Sequence, residues 1–419
     1  MPKKFLFEET GNNRRYFFQV FILLFNTFTW YYATLLVLTE NISNSSPSVF
    51  QYRAVYYAIA FATGITGALI SEKMRRLKLL KFWMIVGVVA TILPIFIGNV
   101  TTMQEILIFS LLGLSFGLGM PSCLAYFADK TISENRGWTG GLIYFVVNMS
   151  ALPIATLLMS FSFQINLAIL AVWRGLGAIL FFLLKPQEKV TAERKQTSFK
   201  SVFENKSFIL YLLPWCMFAL IDIFEKTIIK GFLGLEQYRL ILLMQPMISG
   251  ISALIGGFFA DRIGRKRVVI YGFVSLGIAY AIIGIAPQTM LISWYFYFII
   301  DGLSTGMLWV TFILVLWGDL SQPSAGEKYY VIGSAPFLLT EIIPLILILL
   351  LPEVTTREVI PAYTAFSVAS FFLFVAVLPL MYAPETLPEK KIELRRLKGY
   401  IEQAKKFTEK YTKKNGSKS

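Results

Sequence analysis

The chain has 419 residues, of which 56% are hydrophobic, 16% aromatic and 15% charged, with 39 Lys and Arg against 25 Asp and Glu. A soluble domain carries about 25% charged residues, so this composition excludes an ordinary water-soluble enzyme, and the absence of histidine excludes a Ser-His-Asp triad, a histidine-bearing metal site and a histidine proton switch. The net charge of +14 is spread over short loops with no contiguous basic domain, which excludes a nucleic-acid footprint.

A bilayer core of about 30 Å is crossed by roughly 20 apolar residues in a helix. Apolar runs of that kind fall at 16–38, 49–70, 79–98, 105–127, 138–160, 164–184, 207–232, 238–259, 267–286, 290–317, 329–351 and 359–382, which predicts twelve spans. The runs lack the strict alternation of a barrel strand, so they read as helices, whose backbone is satisfied within the segment. Span 1 follows Arg14-Arg15 and is longer than the apolar core of a signal peptide, so it is expected to stay as an anchor. It places Asn26, Thr29 and Trp30 on one face. In span 2, Arg53 lies near one end and reads as a snorkelling cation. Gly113, Gly117, Gly119 and Pro121 in span 4 predict close packing and a bend. Span 5 carries Asn148, and span 6 carries Arg174 at mid-depth, where a guanidinium needs a structural partner. Cys123 and Cys216 lie in apolar runs and read as small buried hydrophobes.

Residues 185–206 are polar and mixed in charge, a linker between an N-terminal bundle (1–184) and a C-terminal bundle (207–382). Ionisable residues inside spans cost about 2.5–3.5 kcal/mol each on an insertion scale and mark function by default. Span 7 holds Asp222, Glu225 and Lys226 on one face; either Asp222 and Lys226 neutralise each other, or the group forms a charged substrate site with Glu225 left to bind a proton. Gln245 in span 8, Asp301 and Trp309 on one face of span 10, and Glu341 beside Pro344 in span 11 complete the candidates for solute binding or proton coupling. The tail, 383–419, repeats apolar residues at 3–4 spacing amid Lys and Arg, either an amphipathic helix on an anionic membrane surface or a solvated extension.

Lys and Arg concentrate in the N-terminal segment, the loops after the even-numbered spans and the tail, whereas loops 41–47, 99–104 and 287–290 carry none. By the positive-inside rule both termini are cytoplasmic, in a multi-pass protein of the cell membrane. Asn41, Asn44 and Asn99 head sequons on the opposite face, by chance or for glycosylation.

The loop after span 2 begins Gly67-Ala-Leu-Ile-Ser-Glu and ends Arg75-Arg76; the loop after span 8 reads Gly257-Phe-Phe-Ala-Asp261-Arg262-Ile-Gly264-Arg265-Lys266. Gly67 and Gly257 stand 190 residues apart, as do Asp129 and Asp319, each followed by a cation, Arg136 or Lys328. Two loops sharing one offset indicate a duplicated six-helix unit. The 257–266 segment resembles the loop signature of the major facilitator superfamily, and 113–137 resembles that family's fourth helix and following loop. The resemblance implies an all-α membrane protein of twelve transmembrane helices in two pseudo-symmetric six-helix bundles, which rock about a central cavity. It also implies a cytoplasmic gate at Gly67, Arg75, Asp129, Arg136, Gly257, Asp261, Gly264, Arg265 and Asp319, with Ser71 and Met74 departing from the pattern in the first half and Glu72 as substitute acid.

Pro384-Glu385-Thr386 is similar to a sugar-porter motif, but the glutamine-rich seventh helix of sugar porters is missing, as is the Gly-Pro fifth-helix signature of drug antiporters. The expected function is secondary active transport of a small organic solute or ion, with a proton or ion as co-substrate and the bilayer as solvent. The rival is a transporter-like receptor that binds a solute without moving it. The sequence shows no phosphate-cradling Gly-Lys loop and no paired-carboxylate metal motif, so no catalytic set, metal or cofactor is expected.

Overall fold

A computed structural model describes residues 11–42, 49–97, 101–187, 198–233, 235–286, 290–321, 325–350 and 362–387. The centre of the linker, Asn44, Asn99, Arg357 and the tail from 388 lie outside the described residues, as do the side chains of Asn41, Lys226 and Arg239.

Each predicted span is helical. The first six are α1 (Gly11–Ile42), α2 (Val49–Lys73), α3 (Arg76–Ile92, continued by a 3-10 turn, Leu93–Phe96), α4 (Thr102–Lys130), α5 (Arg136–Leu158) and α6 (Phe163–Leu183). After a short linker helix, Phe199–Glu204, come α7 (Lys206–Leu233), α8 (Leu235–Ile263) and α9 (Arg265–Ile285). Helix α10 is α-helical over Leu291–Trp309, π-helical over Val310–Leu316 and α-helical again over Trp317–Leu320. Helix α11 comprises Gly326–Thr340 and Ile343–Leu350, and α12 comprises Ala362–Val375 and Val377–Tyr382. Both breaks have a proline cause. Pro344 lacks the N–H that would reach the Thr340 carbonyl, and Pro379 stands in the same relation to Val375. Glu341 therefore sits on the break in α11.

Among the described residues eleven of these helices are long and apolar enough to cross a membrane; α8, with 29 residues, reaches about 43 Å at 1.5 Å per residue. Their outward faces require a non-aqueous solvent. On α6, Val172, Leu176, Ile179 and Leu183 form an exposed apolar stripe, while Leu170, Arg174, Gly177 and Phe181 on the other side are buried.

Within the first six helices, α1 packs on α6 and α5, α3 on α6 and α4, and α2 on α4. The last six repeat the scheme: α7 packs on α12 and α11, α9 on α12 and α10, and α8 on α10. The two bundles meet along α5–α8 and α2–α11, which are equivalents under the same repeat. Small residues set the closest approaches. A Cβ on Gly113 or Gly117 of α4 would collide with the Tyr56 or Ala60 carbonyl of α2, and one on Gly67 with the Leu118 carbonyl of α4.

Candidate functional site

One end of the molecule carries the basic loops, and here the bundles are tied by ions. Asp319, at the end of α10, is the hub, with its side chain 1% exposed. It takes a hydrogen bond from Arg136 at the start of α5, one of 3.0 Å from Nε of Arg265 at the start of α9, and 3.3 Å contacts from the Ser133 and Thr386 hydroxyls. Arg265 also pairs with Asp261 at 3.0 Å and donates to the Ala260 and Ser133 carbonyls. Asp261 accepts the amides of Gly137 and Trp138, at 3.0 and 2.7 Å, so its charge faces the N-terminus of α5. Burial lifts the Asp261 carboxyl to about 6, opposed by Arg265 and the two amides, which leaves it ionised at neutral pH. Gly264 has φ of 108°, a left-handed conformation that lets α8 turn directly into α9. Glu385 then caps α9, accepting from the amides of Arg265 and Lys266.

The equivalent corner of the first half is built differently. Between α8 and α9 lies one residue, Gly264; between α2 and α3 lie two, Met74 and Arg75. The extra residue shifts the register, so the first residue of α3 is Arg76. Arg75, expected in the gate from the constant offset, is exposed, whereas Arg76 is buried. Arg76 pairs with Asp129 and, across the bundles, with Glu327 of α11 at 2.6 Å. Glu72 pairs with Lys328 of α11 at 2.6 Å, supplying the acid where Ser71 stands in place of aspartate. Arg76→Ala strands the buried Glu327 carboxylate, a change that costs about 3–5 kcal/mol when a buried pair is broken. Arg75→Ala is expected to stay within about 0.5 kcal/mol of the parent. Thermal melting in detergent separates the two; equal losses would remove Arg76 from the network.

Next to the ions runs a glycine seam. A Cβ on Gly257 of α8 would strike the Gly137 carbonyl of α5, and one on Gly137 the Gly257 carbonyl. Farther along, Gly141 faces the Ala253 carbonyl and Gly250 faces the Asn148 side chain. Asn148 spends its amide on the Tyr144 carbonyl at 2.8 Å, within its own helix. The seam therefore closes the space between bundles from the basic end up to Asn148.

Away from that end, the second bundle buries acids. Both oxygens of Glu225 accept hydroxyls, from Tyr280 of α9 and Tyr297 of α10. Asp222 and Asp301 are its charged neighbours. Asp301 is buried, accepts from Gln245 of α8 at 2.5 Å and touches the Thr305 hydroxyl at 3.3 Å. Trp309 joins an aromatic cluster, 4.6 Å from Phe337 and 5.7 Å from Trp215 between ring centres. Glu341, on the break in α11, pairs with Arg53 of α2 at 2.6 Å, a contact between bundles. Arg53 is thus an ion-pair partner, where hydropathy suggested a snorkelling cation.

Two candidates leave the solute set on geometric grounds. Asn26 is 3% exposed, donates to the Trp173 carbonyl and accepts from Arg174 at 3.0 Å. Trp30 is 1% exposed, donates to Thr91 and lies against the Arg174 guanidinium, which is sandwiched between Trp30 and Trp83 at 4.9 and 4.6 Å. The polar face of α1 is directed into its own bundle by Arg174. Signals that sequence reasoning passed over are Arg76, Glu327 and Ser133, all in short loops or first turns at the basic end.

No family model and no curated protein matches the sequence. The fold is similar to a solved structure of the proton:xylose symporter XylE, a major facilitator superfamily protein, bound to 6-bromo-6-deoxy-D-glucose. The TM-score is 0.72 over 90% of this chain and 97% of that one, at 15% sequence identity. With the repeated helix pairings and the tied basic end, this likeness establishes that the chain has the two-bundle fold of the major facilitator superfamily.

Proposed function

We propose that the protein is a secondary active transporter of a small organic solute, working by alternating access, with the basic end facing the cytoplasm and shut in this conformation. The observation that carries the reading is the set of contacts between bundles at that end: Asp319 with Arg136, Asp261 with the start of α5, Arg76 with Glu327, and Lys328 with Glu72. These are side-chain bonds between two separately packed bodies, the kind of contact that a rigid-body rocking motion makes and breaks. They hold a space between bundles that is lined at the far end by Tyr31, Arg53, Gln245 and Glu341.

Coupling to a proton is assigned to Glu225 and its neighbour Asp301. Two carboxylates close together in a low-dielectric span repel when both are ionised, and a shared proton removes that repulsion. Glu225→Gln is expected to abolish uphill accumulation in proteoliposomes while counterflow down a solute gradient continues at more than about a third of the parent rate. Undiminished accumulation by that variant would place the proton elsewhere; binding without counterflow in the parent would favour a receptor.

A further inference from the structure

The Arg53–Glu341 contact has properties that a structural ion pair does not need. It joins α2 of one bundle to α11 of the other, at the end opposite the gate, so it crosses the space between them. The pair is monodentate: one guanidinium nitrogen, Nη2, meets one carboxylate oxygen at 2.6 Å. A guanidinium offers five N–H donors in a planar fork suited to two-pronged binding of carboxylate or phosphate. Among the described residues Glu341 is the one hydrogen-bond partner of Arg53, so most of the fork is unspent. The Arg53 side chain is 35% exposed and that of Glu341 13%, which leaves the arginine the more reachable member. Tyr31 and Tyr57, hydrogen-bonded to each other at 3.1 Å, lie in the electrostatic field of the same guanidinium and supply further hydroxyls. Glu341 itself stands on the Pro344 break, where the helix does not fix it in a continuous turn.

We propose that Arg53 is the recognition site for an anionic group of the solute, a carboxylate or phosphate, and that Glu341 is a built-in competitor which holds the site when solute is absent. The proposal rests on the transporter reading for the word solute, but the binding chemistry stands on the pair itself. An incoming anion exchanges one single-point contact for a two-pronged one and releases Glu341 toward the space between bundles. The exchange also cuts the ionic link between α2 and α11, so binding and the freedom of the bundles to move at that end are coupled.

The test is thermal stabilisation of the purified full chain by acetate, pyruvate, gluconate and inorganic phosphate, with glucose and glucosamine as neutral and cationic counterparts of gluconate. At least one anion is expected to stabilise the parent saturably, with glucose and glucosamine inert at the same concentration. Arg53→Gln is expected to weaken that anion at least tenfold, and Arg53→Lys, which keeps the charge and loses the fork, at least threefold. Glu341→Gln is expected to strengthen it about tenfold, because the internal competitor is gone. If Arg53→Gln does not fold, the Arg53→Lys and Glu341→Gln pair still decides. Stabilisation by glucose or glucosamine alone, no response to any of the four anions, or unchanged anion affinity in the variants would overturn the assignment. Anion binding with those variant effects but without counterflow would keep the site and sink the transporter reading instead.

Discussion

Gly257→Val is expected to leave the protein folded, stop transport and hold the basic end open. The added Cβ would meet the Gly137 carbonyl, a backbone atom that no rotamer change can move aside, so α5 and α8 must separate. Neither helix loses a contact inside its own bundle by this change. A thiol placed by Leu314→Cys, buried against Gly140 beside the seam, reports the state in a chain whose Cys123 and Cys216 are replaced by alanine. Labelling by a membrane-impermeant maleimide from the basic side is expected to rise at least tenfold. Gly67→Val supplies the contrast, because Gly67 packs on Leu118 within the first bundle. It is expected to lower thermal stability and yield without opening the basic end. Matching behaviour of the two variants would refute the seam.

Asp319→Asn is the second large change. The side chain keeps its shape but loses the charge shared by Arg136 and Arg265, whose side chains are 9% and 0% exposed. Breaking a buried pair from one side costs about 3–5 kcal/mol, enough to move a two-state population by at least about a hundredfold. Asp261 still neutralises Arg265, so the stranded charge is that of Arg136. The variant is expected to bind solute while turning over at under about a tenth of the parent rate, with Leu314→Cys labelling again raised. Parent turnover with unchanged labelling would show that Asp319 is not the hub.

Much of this was legible in the sequence, and the exceptions have physical reasons. Twelve spans followed from hydropathy because the bilayer demands long apolar helices, and the outcome for α6 shows how literal that demand is. Asp261, Arg265 and Asp319 followed from spacing, since the second loop keeps the tight Gly264 turn. Arg76 was hidden by the same arithmetic: a constant offset assumes equal loops, and one extra residue moves the buried arginine along by one. Asn26 and Trp30 share a face, yet which way that face points depends on Arg174, nearly 150 positions away. Glu225 finds its partners on α9 and α10, and no local reading of Asp222 and Lys226 contains that information. Arg53 and Glu341 are 288 positions apart and belong to different bundles, so nothing near either residue announced the pair.

The two flanks of the closed end are unlike in stiffness. Along α5–α8 the bundles touch main chain to main chain, a short-range contact that is lost within a fraction of an ångström. Along α2–α11 they are joined through Lys328, Glu72, Arg76 and Glu327, whose long stems stretch and swivel before they let go. A small tilt of one bundle therefore breaks the glycine flank first while the other holds like a leather strap. Water is admitted from one side, and the molecule opens as a door turning on a flexible hinge rather than as a pair of parting jaws.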